Sequence, residues 1–167
     1  MSKLVWSTKS AIEVKDLNDL PRKILGKRGL TSTEIKKFLS PDYEKDLGDP
    51  FDLEGMGKAV DRIEKALKKS EKIIIYGDYD IDGLSASTLL YDALSSMGTT
   101  PGLYIPDGFE EGYGLNSSAI KNLKKDGADL VISVDCGVTA HEQAELAKKI
   151  GLDLIITDHH EPSGKSP

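Results

Sequence analysis

Apolar positions in this chain change their spacing partway along. Early on they recur at helical intervals: Ile35, Phe38 and Leu39 follow Thr31-Ser32-Thr33-Glu34, which fits a capping box, and Ser40-Pro41 ends the run. Asp49-Pro50 opens a boundary. Met56, Val60, Ile63 and Leu67 then form one stripe, so residues 55–69 read as an amphipathic helix. Beyond it, short runs alternate with helical patterns. Ile73-Ile74-Ile75-Tyr76, Leu103-Tyr104-Ile105, Leu130-Val131-Ile132-Ser133-Val134 and Leu154-Ile155-Ile156-Thr157 are too short for core helices and suit strands. Residues 83–97 predict a helix with Ala86, Leu90, Ala93 and Met97 on one face and Gly98 at its stop. Residues 116–126 predict another, from Asn116 to Gly127, and Thr139 with Glu142 caps a third that stops at Gly151.

Apolar strands alternating with helices imply an α/β fold, a mostly parallel sheet with helices on both faces. It occupies residues 51–167, preceded by a small helical region over residues 1–50. The stretch from Lys124 to Ile132 echoes that from Lys148 to Ile156, each a helix end, a glycine and a buried strand. Two copies make a pair of similar αβ units rather than a solenoid.

Composition narrows the class. With 167 residues, 38% hydrophobic and 30% charged, the chain can bury a real core and is not a disordered segment. No run approaches the roughly 18–20 apolar residues of a membrane span, and no apolar leader opens the N-terminus. The single cysteine, Cys136, cannot form an intrachain disulfide, and these features favour a cytoplasmic location. Net charge is −6 but unevenly spread: residues 1–40 hold nine Lys/Arg against four Asp/Glu, and residues 41–167 thirteen against twenty-four. A basic arm could attract phosphates while an acidic body holds divalent cations; differing solvated helix faces are the plainer reading.

The acids fall at telling positions. Asp78, Asp80 and Asp82 follow the first strand, Asp135 the third, and Asp158, His159 and His160 the fourth. All lie at carboxyl ends of predicted parallel strands, the edge where open α/β sheets hold ligands. Bare carboxylates repel one another when crowded, and divalent cations resolve the conflict. Oxygen and imidazole donors without thiolates suit Mn²⁺, Zn²⁺ or Mg²⁺ rather than a structural zinc cage. Two such ions about 3.5–4 Å apart can make a hydroxide nucleophile and clamp a phosphoryl group.

Plainer alternatives fit less. An EF-hand loop starting at Asp78 would need Glu at its twelfth position, which is Leu89, and would follow a helix rather than a strand. An aspartyl-phosphate enzyme leaves Asp158-His159-His160 unexplained. Cys136 suits a small apolar packing role at a strand end better than a nucleophile, and His141 a solvated helix start better than a metal ligand. Glu110 to Leu115 is either a surface turn or a place where glycines flanking Tyr113 let backbone approach a ligand.

Asp78-Tyr79-Asp80-Ile81-Asp82-Gly83, Glu111-Gly112-Tyr113-Gly114-Leu115, Val134-Asp135-Cys136-Gly137 and Asp158-His159-His160-Glu161-Pro162 occur in this order. The set resembles the DHH phosphoesterases, and within them the single-strand-specific 5′→3′ DNA exonucleases. The match runs from about residue 55 to the end and takes in the N-terminal region. The resemblance implies that Asp80 and Asp82 ligate two divalent metals, one each, with Mn²⁺ favoured over Mg²⁺. It implies that Asp135 bridges them, His159 is a ligand and His160 faces the scissile phosphate. Asp78 and Asp158 would orient the ligands. Single-stranded DNA would be the substrate, with Tyr113 as a candidate base contact, in repair or recombination. A single-strand-binding protein or a helicase would be the partner.

Two departures stand out. The family usually carries an Arg before the Phe that precedes Glu-Gly-Tyr-Gly-Leu; here the run is Pro106-Asp107-Gly108-Phe109. Family members also continue past the Asp-His-His motif with another metal-binding Asp, a second domain and a nucleic-acid-binding module. The chain therefore reads as a fragment that binds metal weakly and cleaves little or nothing alone. Hydrolysis of short oligonucleotides or cyclic dinucleotides is the alternative activity, and a non-catalytic nucleic-acid-binding relative the alternative class.

Overall fold

The computed structural model describes residues 19–107, 112–164 and 167. The chain divides into two compact units, Met1–Asp52 and Leu53–Pro167.

In the first unit α1 (Leu20–Lys27) and α2 (Ser32–Leu39) pack together and bury Leu25 and Ile35. The capping box at the start of α2 forms as expected. Thr31 N donates to Glu34 Oε2 at 2.7 Å, and Glu34 N donates to Thr31 Oγ1 at 3.4 Å. These bonds satisfy two amides that a helix start leaves without partners. A short helix α3 (Tyr43–Asp46) follows, capped by Asp42.

The second unit is a parallel sheet flanked by helices, as the alternation predicts. After α4 (Met56–Lys68) come β1 (Ile73–Tyr76), α5 (Ile81–Ser96), β2 (Gly102–Tyr104), α6 (Ser117–Lys125), β3 (Leu130–Val134), α7 (His141–Lys149) and β4 (Asp153–Thr157). The four strands are ordered β2-β1-β3-β4, and every pairing is parallel. Alternate strand residues separate two cores, as a period of two requires. Ile74, Tyr76 and Val131 join Ala119, Ile120, Leu123 and Ala147 of α6 and α7. Ile73, Ile75, Leu130, Ile132 and Val134 join Ala66 of α4 and Leu94 of α5. Helices thus cover both faces.

The order has one consequence for function. From β1 the chain moves outward to β2, then returns to place β3 on the other side of β1. The switch in direction falls between β1 and β3. Loops leaving their carboxyl ends diverge there and open a crevice.

The repeated αβ unit is visible in the backbone. Ala128 N donates to Leu123 O at 3.0 Å, and Leu152 N to Ala147 O at 2.9 Å, so α6 and α7 stop in the same way before β3 and β4. Two sequence expectations need correction. Helix α5 buries Gly83, Ser87 and Leu94, and Ala86 and Leu90 pack against the same core as expected, whereas Met97 is 62% exposed and Ala93 is also exposed, so only the first half of the Ala86–Leu90–Ala93–Met97 stripe is packed. Leu84 and Leu89 make α5 apolar on its outer side too, which leaves the phase of an apolar stripe undetermined. Thr139 does not cap α7: Ala140 holds that position without a side-chain bond, because the turn after β3 brings Ala140 N to Gly137 O at 2.9 Å.

Candidate metal centre

The segment after β1 folds back on itself within a few residues. Asp80 is the N-cap of α5, its Oδ1 accepting from Asp82 N and Gly83 N, each at 3.0 Å. Those amides, Gly83 foremost, hold the Asp80 carboxyl below the ordinary carboxylate range. One Asp80 oxygen is thereby spent on the cap and Oδ2 is left for another partner. Asp78 lies beneath, fully buried, with neither carboxylate oxygen hydrogen-bonded among the described residues. Only glycine fits at position 83, since a Cβ there would stand 2.6 Å from Asp78 O and 2.7 Å from Asp78 N.

Asp135, directly after β3, has a left-handed backbone with φ of 61°. The turn is locked from the neighbouring strand. Asp135 N donates to Thr157 O at 2.9 Å, Thr157 Oγ1 to Ser133 O at 2.7 Å, and buried Ser133 Oγ to Cys136 O at 2.9 Å. The strained turn sends the Asp135 carboxylate inward, where Oδ2 is buried without a hydrogen-bond partner among the described residues. Burial and the charge of Asp80 push its pKa above the ordinary range, against the opposing pull of His159 and His160.

Past β4, Asp158 organises both histidines. Its Oδ1 accepts from His159 N at 2.8 Å, His160 N at 3.1 Å and His160 Nδ1 at 2.7 Å, while Oδ2 accepts from Val138 N at 2.8 Å. Burial alone would raise this carboxyl; Val138 N and the His160 donors outweigh it and keep the group below its ordinary value. In return, the bond to Asp158 raises the pKa of His160. His159 turns the other way, its Nε2 lying 3.0 Å from Asp135 Oδ1.

The three strand ends therefore converge. Ligand-capable atoms of Asp78, Asp80 and Asp135 lie within 4.8 Å of one another, as do those of Asp135, His159 and His160. Asp135 is common to both groups. Asp82, exposed in the first turn of α5, belongs to neither. Buried carboxylate oxygens without donors, next to an imidazole, need positive charge to be stable, and this oxygen–nitrogen set fits a divalent cation. Cys136 is fully buried beside the site, and burial pushes its thiol up to about 12, in keeping with a packing role. His141 opens α7 exposed and stands outside both groups.

Tyr113 comes to the site as well. Its hydroxyl is 3.2 Å from His160 Nε2, and its ring meets those of His160 and Tyr79 edge-on. Burial and the nearby carboxylates raise its pKa to about 12. Together with Thr139, Gln143, Asp158 and His160 it lines a cavity of about 350 Å³. Residues 108–111, where the family Arg is missing and the Glu-Gly-Tyr-Gly-Leu run begins, lie outside the described residues.

The sequence reading missed two residues that brace the Asp135 turn, Ser133 and Thr157. One signal was available, since Ser133 interrupts an otherwise apolar buried strand. A hydroxyl in such a place needs a local acceptor.

Residues 72–167 match the DHH family, N-terminal domain, and the chain belongs to that family. It is 42% identical over 159 residues to the single-stranded-DNA-specific exonuclease RecJ of Bacillus subtilis, a match covering 95% of this chain and 20% of that protein. The crystal structure of an exonuclease RecJ bound to manganese aligns with TM-score 0.64 and 35% identity, over 69% of this chain and 30% of that one. RecJ of Thermus thermophilus in complex with Mn²⁺ aligns with TM-score 0.62 and 30% identity, over 79% of this chain and 18% of that one. No described helix is long and apolar enough to cross a membrane.

Proposed function

We propose that this chain supplies the metal-binding part of a 5′→3′ exonuclease acting on single-stranded DNA in repair or recombination in the cytoplasm. The observation that carries the reading is the convergence of Asp78 and Asp80, Asp135, and His159 across the β1–β3 crevice, with buried carboxylate oxygens that have no hydrogen-bond donor among the described residues. The manganese named for the two RecJ structures supports Mn²⁺ as the ion, with Mg²⁺ the alternative. In this reading Asp80, Asp82, Asp135 and His159 would hold two divalent cations, with Asp135 a shared ligand by resemblance. Asp82 is assigned by resemblance.

Bound cations would supply the water activation and the neutralisation of phosphoryl charge that hydrolysis of a phosphodiester needs. The chain's own residues do the rest. Asp158 holds His160 through Nδ1, and a protonated Nε2, which meets the Tyr113 hydroxyl in the free chain, can donate to a phosphoryl oxygen in its place. Asp78 supports the ligands from beneath. Tyr79 and Tyr113, both about half exposed, offer faces for an unpaired base. The chain spans 20% of the length of its Bacillus subtilis relative, so it is expected to bind metal but show little nuclease activity alone.

The test is a chimera in which this chain replaces the matching segment of that relative. It should degrade single-stranded DNA from the 5′ end in Mn²⁺, and Asp135→Ala should abolish the activity. A chimera that binds Mn²⁺ yet leaves single strands intact while cleaving dinucleotides would transfer the assignment to short substrates. One active despite Asp135→Ala would remove the metal centre from the mechanism.

A further inference from the structure

Resting on the nuclease reading, we propose that Tyr113 is a positioning residue for His160, and that Tyr76 and Asn116 form the clamp that sets it. Tyr113 stands between Gly112 and Gly114, both at φ of 78°, so the loop makes two left-handed turns around it. A loop of that kind has wide conformational freedom unless something fixes it. Here the fixing comes from the sheet. The buried Tyr76, last residue of β1, donates its hydroxyl hydrogen to Gly114 O at 2.9 Å. Asn116 Nδ2 donates to the same hydroxyl oxygen at 3.2 Å, while Asn116 Oδ1 caps α6 by accepting from Ala119 N at 2.7 Å. One end of the clamp is therefore a core strand and the other a helix start.

Its product is a two-point tether on one imidazole. Asp158 holds Nδ1 at 2.7 Å and the Tyr113 hydroxyl holds Nε2 at 3.2 Å. Either bond alone leaves the ring a rotation about its side-chain axis. Together they define both its tilt and which edge faces Asp135 and Asp80. The tether does not depend on the charge of the ring, because a hydroxyl donates to a neutral Nε2 and accepts from a protonated one. His160 follows a strand end and its side chain is 45% exposed, so packing does not hold it. Preorganising such a group lowers the cost of aligning it with a phosphoryl oxygen.

The measurement is ¹⁵N NMR of the imidazole nitrogens of His160 in the whole chain, for wild type, Tyr113→Phe and Tyr76→Phe. Tyr113→Phe keeps the ring and removes only the hydroxyl. The neutral Nε2 resonance is expected to move downfield toward that of an unbonded imine nitrogen, while the Nδ1–H resonance held by Asp158 stays. Tyr76→Phe keeps the Tyr113 hydroxyl but frees the loop, and is expected to give a smaller shift in the same direction. An Nε2 resonance unchanged in Tyr113→Phe overturns the tether, and one unchanged in Tyr76→Phe overturns the clamp. The readout needs neither metal nor DNA, so a failed nuclease reading and a failed tether are told apart.

Discussion

Asp135 shows a single residue set against the stability of its own fold. Its backbone is left-handed, its Oδ2 is buried without a donor among the described residues, and Asp80 stands nearby. Because its folded-state pKa lies above the unfolded one, the folded chain binds this proton more tightly than the unfolded chain does. That preference stabilises the fold below the unfolded pKa of about 3.9 and is lost as pH rises through the raised folded value. At neutral pH and without metal, the ionised carboxylate is a net cost. Asparagine removes the charge, keeps the shape and tolerates a positive φ. Asp135→Asn should therefore raise the melting temperature of the metal-free chain at pH 7 by a few degrees, while abolishing the rise that Mn²⁺ gives the wild type. Thermal melts with and without Mn²⁺ check both halves. A variant that melts lower than wild type in the absence of metal would mean that the carboxylate is not strained.

At the scale of elements, much of the fold is legible in the sequence because short β-branched runs and helical stripes differ in period. Residues 130–134 are a strand as read, and the helices starting after Asn116 and Thr31 begin where their caps predict. What periodicity leaves out is contact between backbones. Helix α5 packs through Gly83 and Ser87 as well as through Leu90 and Leu94, because its first turn lies against Asp78. Strand order is equally invisible, since each run is apolar on both faces and any of them could be central. The acids at strand ends could be found without the order; their division into two groups about Asp135, with Asp82 outside, could not. The contact at Gly83 gives a sharp test. Alanine raises helix propensity by about 1 kcal/mol over glycine in a helix, yet its Cβ would stand 2.6 Å from Asp78 O. Gly83→Ala is expected to lose about 1–3 kcal/mol net, the size of an overpacked core, and to weaken Mn²⁺ binding with it. Denaturant unfolding and calorimetry decide; a stabilised variant with intact metal affinity would show that the turn can move.

A second element-scale prediction separates the two jobs of Asn116. Asn116→Ala removes both the cap on α6 and the donor to Tyr76, and should cost about 1–2 kcal/mol, at the upper end for a lost N-cap. Asn116→Asp keeps the acceptor for Ala119 N and loses only the donor. It should recover most of the stability but still loosen the Tyr113 loop. Equal losses in the two variants, measured by urea unfolding, would mean that the bond to Tyr76 rather than the cap carries the energy.

For the whole molecule, the division at Asp52–Leu53 sets how far the effect of a bound ion can spread. Among the described residues, every member of the candidate metal groups belongs to the second unit. An ion that binds only the folded form adds about 2.7 kcal/mol when present at 100 times its dissociation constant. For a unit the size of Leu53–Pro167, that corresponds to a melting shift of about 10 °C. The gain should appear in the second unit's transition alone. Amide exchange should slow at residues 77–83, 134–138 and 157–160, where three strand ends meet the ion, and stay unchanged in α1 and α2. Hydrogen exchange with and without Mn²⁺ measures this directly. Protection that spreads equally into α1 and α2 would show that the two units unfold as one cooperative body, so that metal binding at the crevice also stabilises the basic N-terminal region.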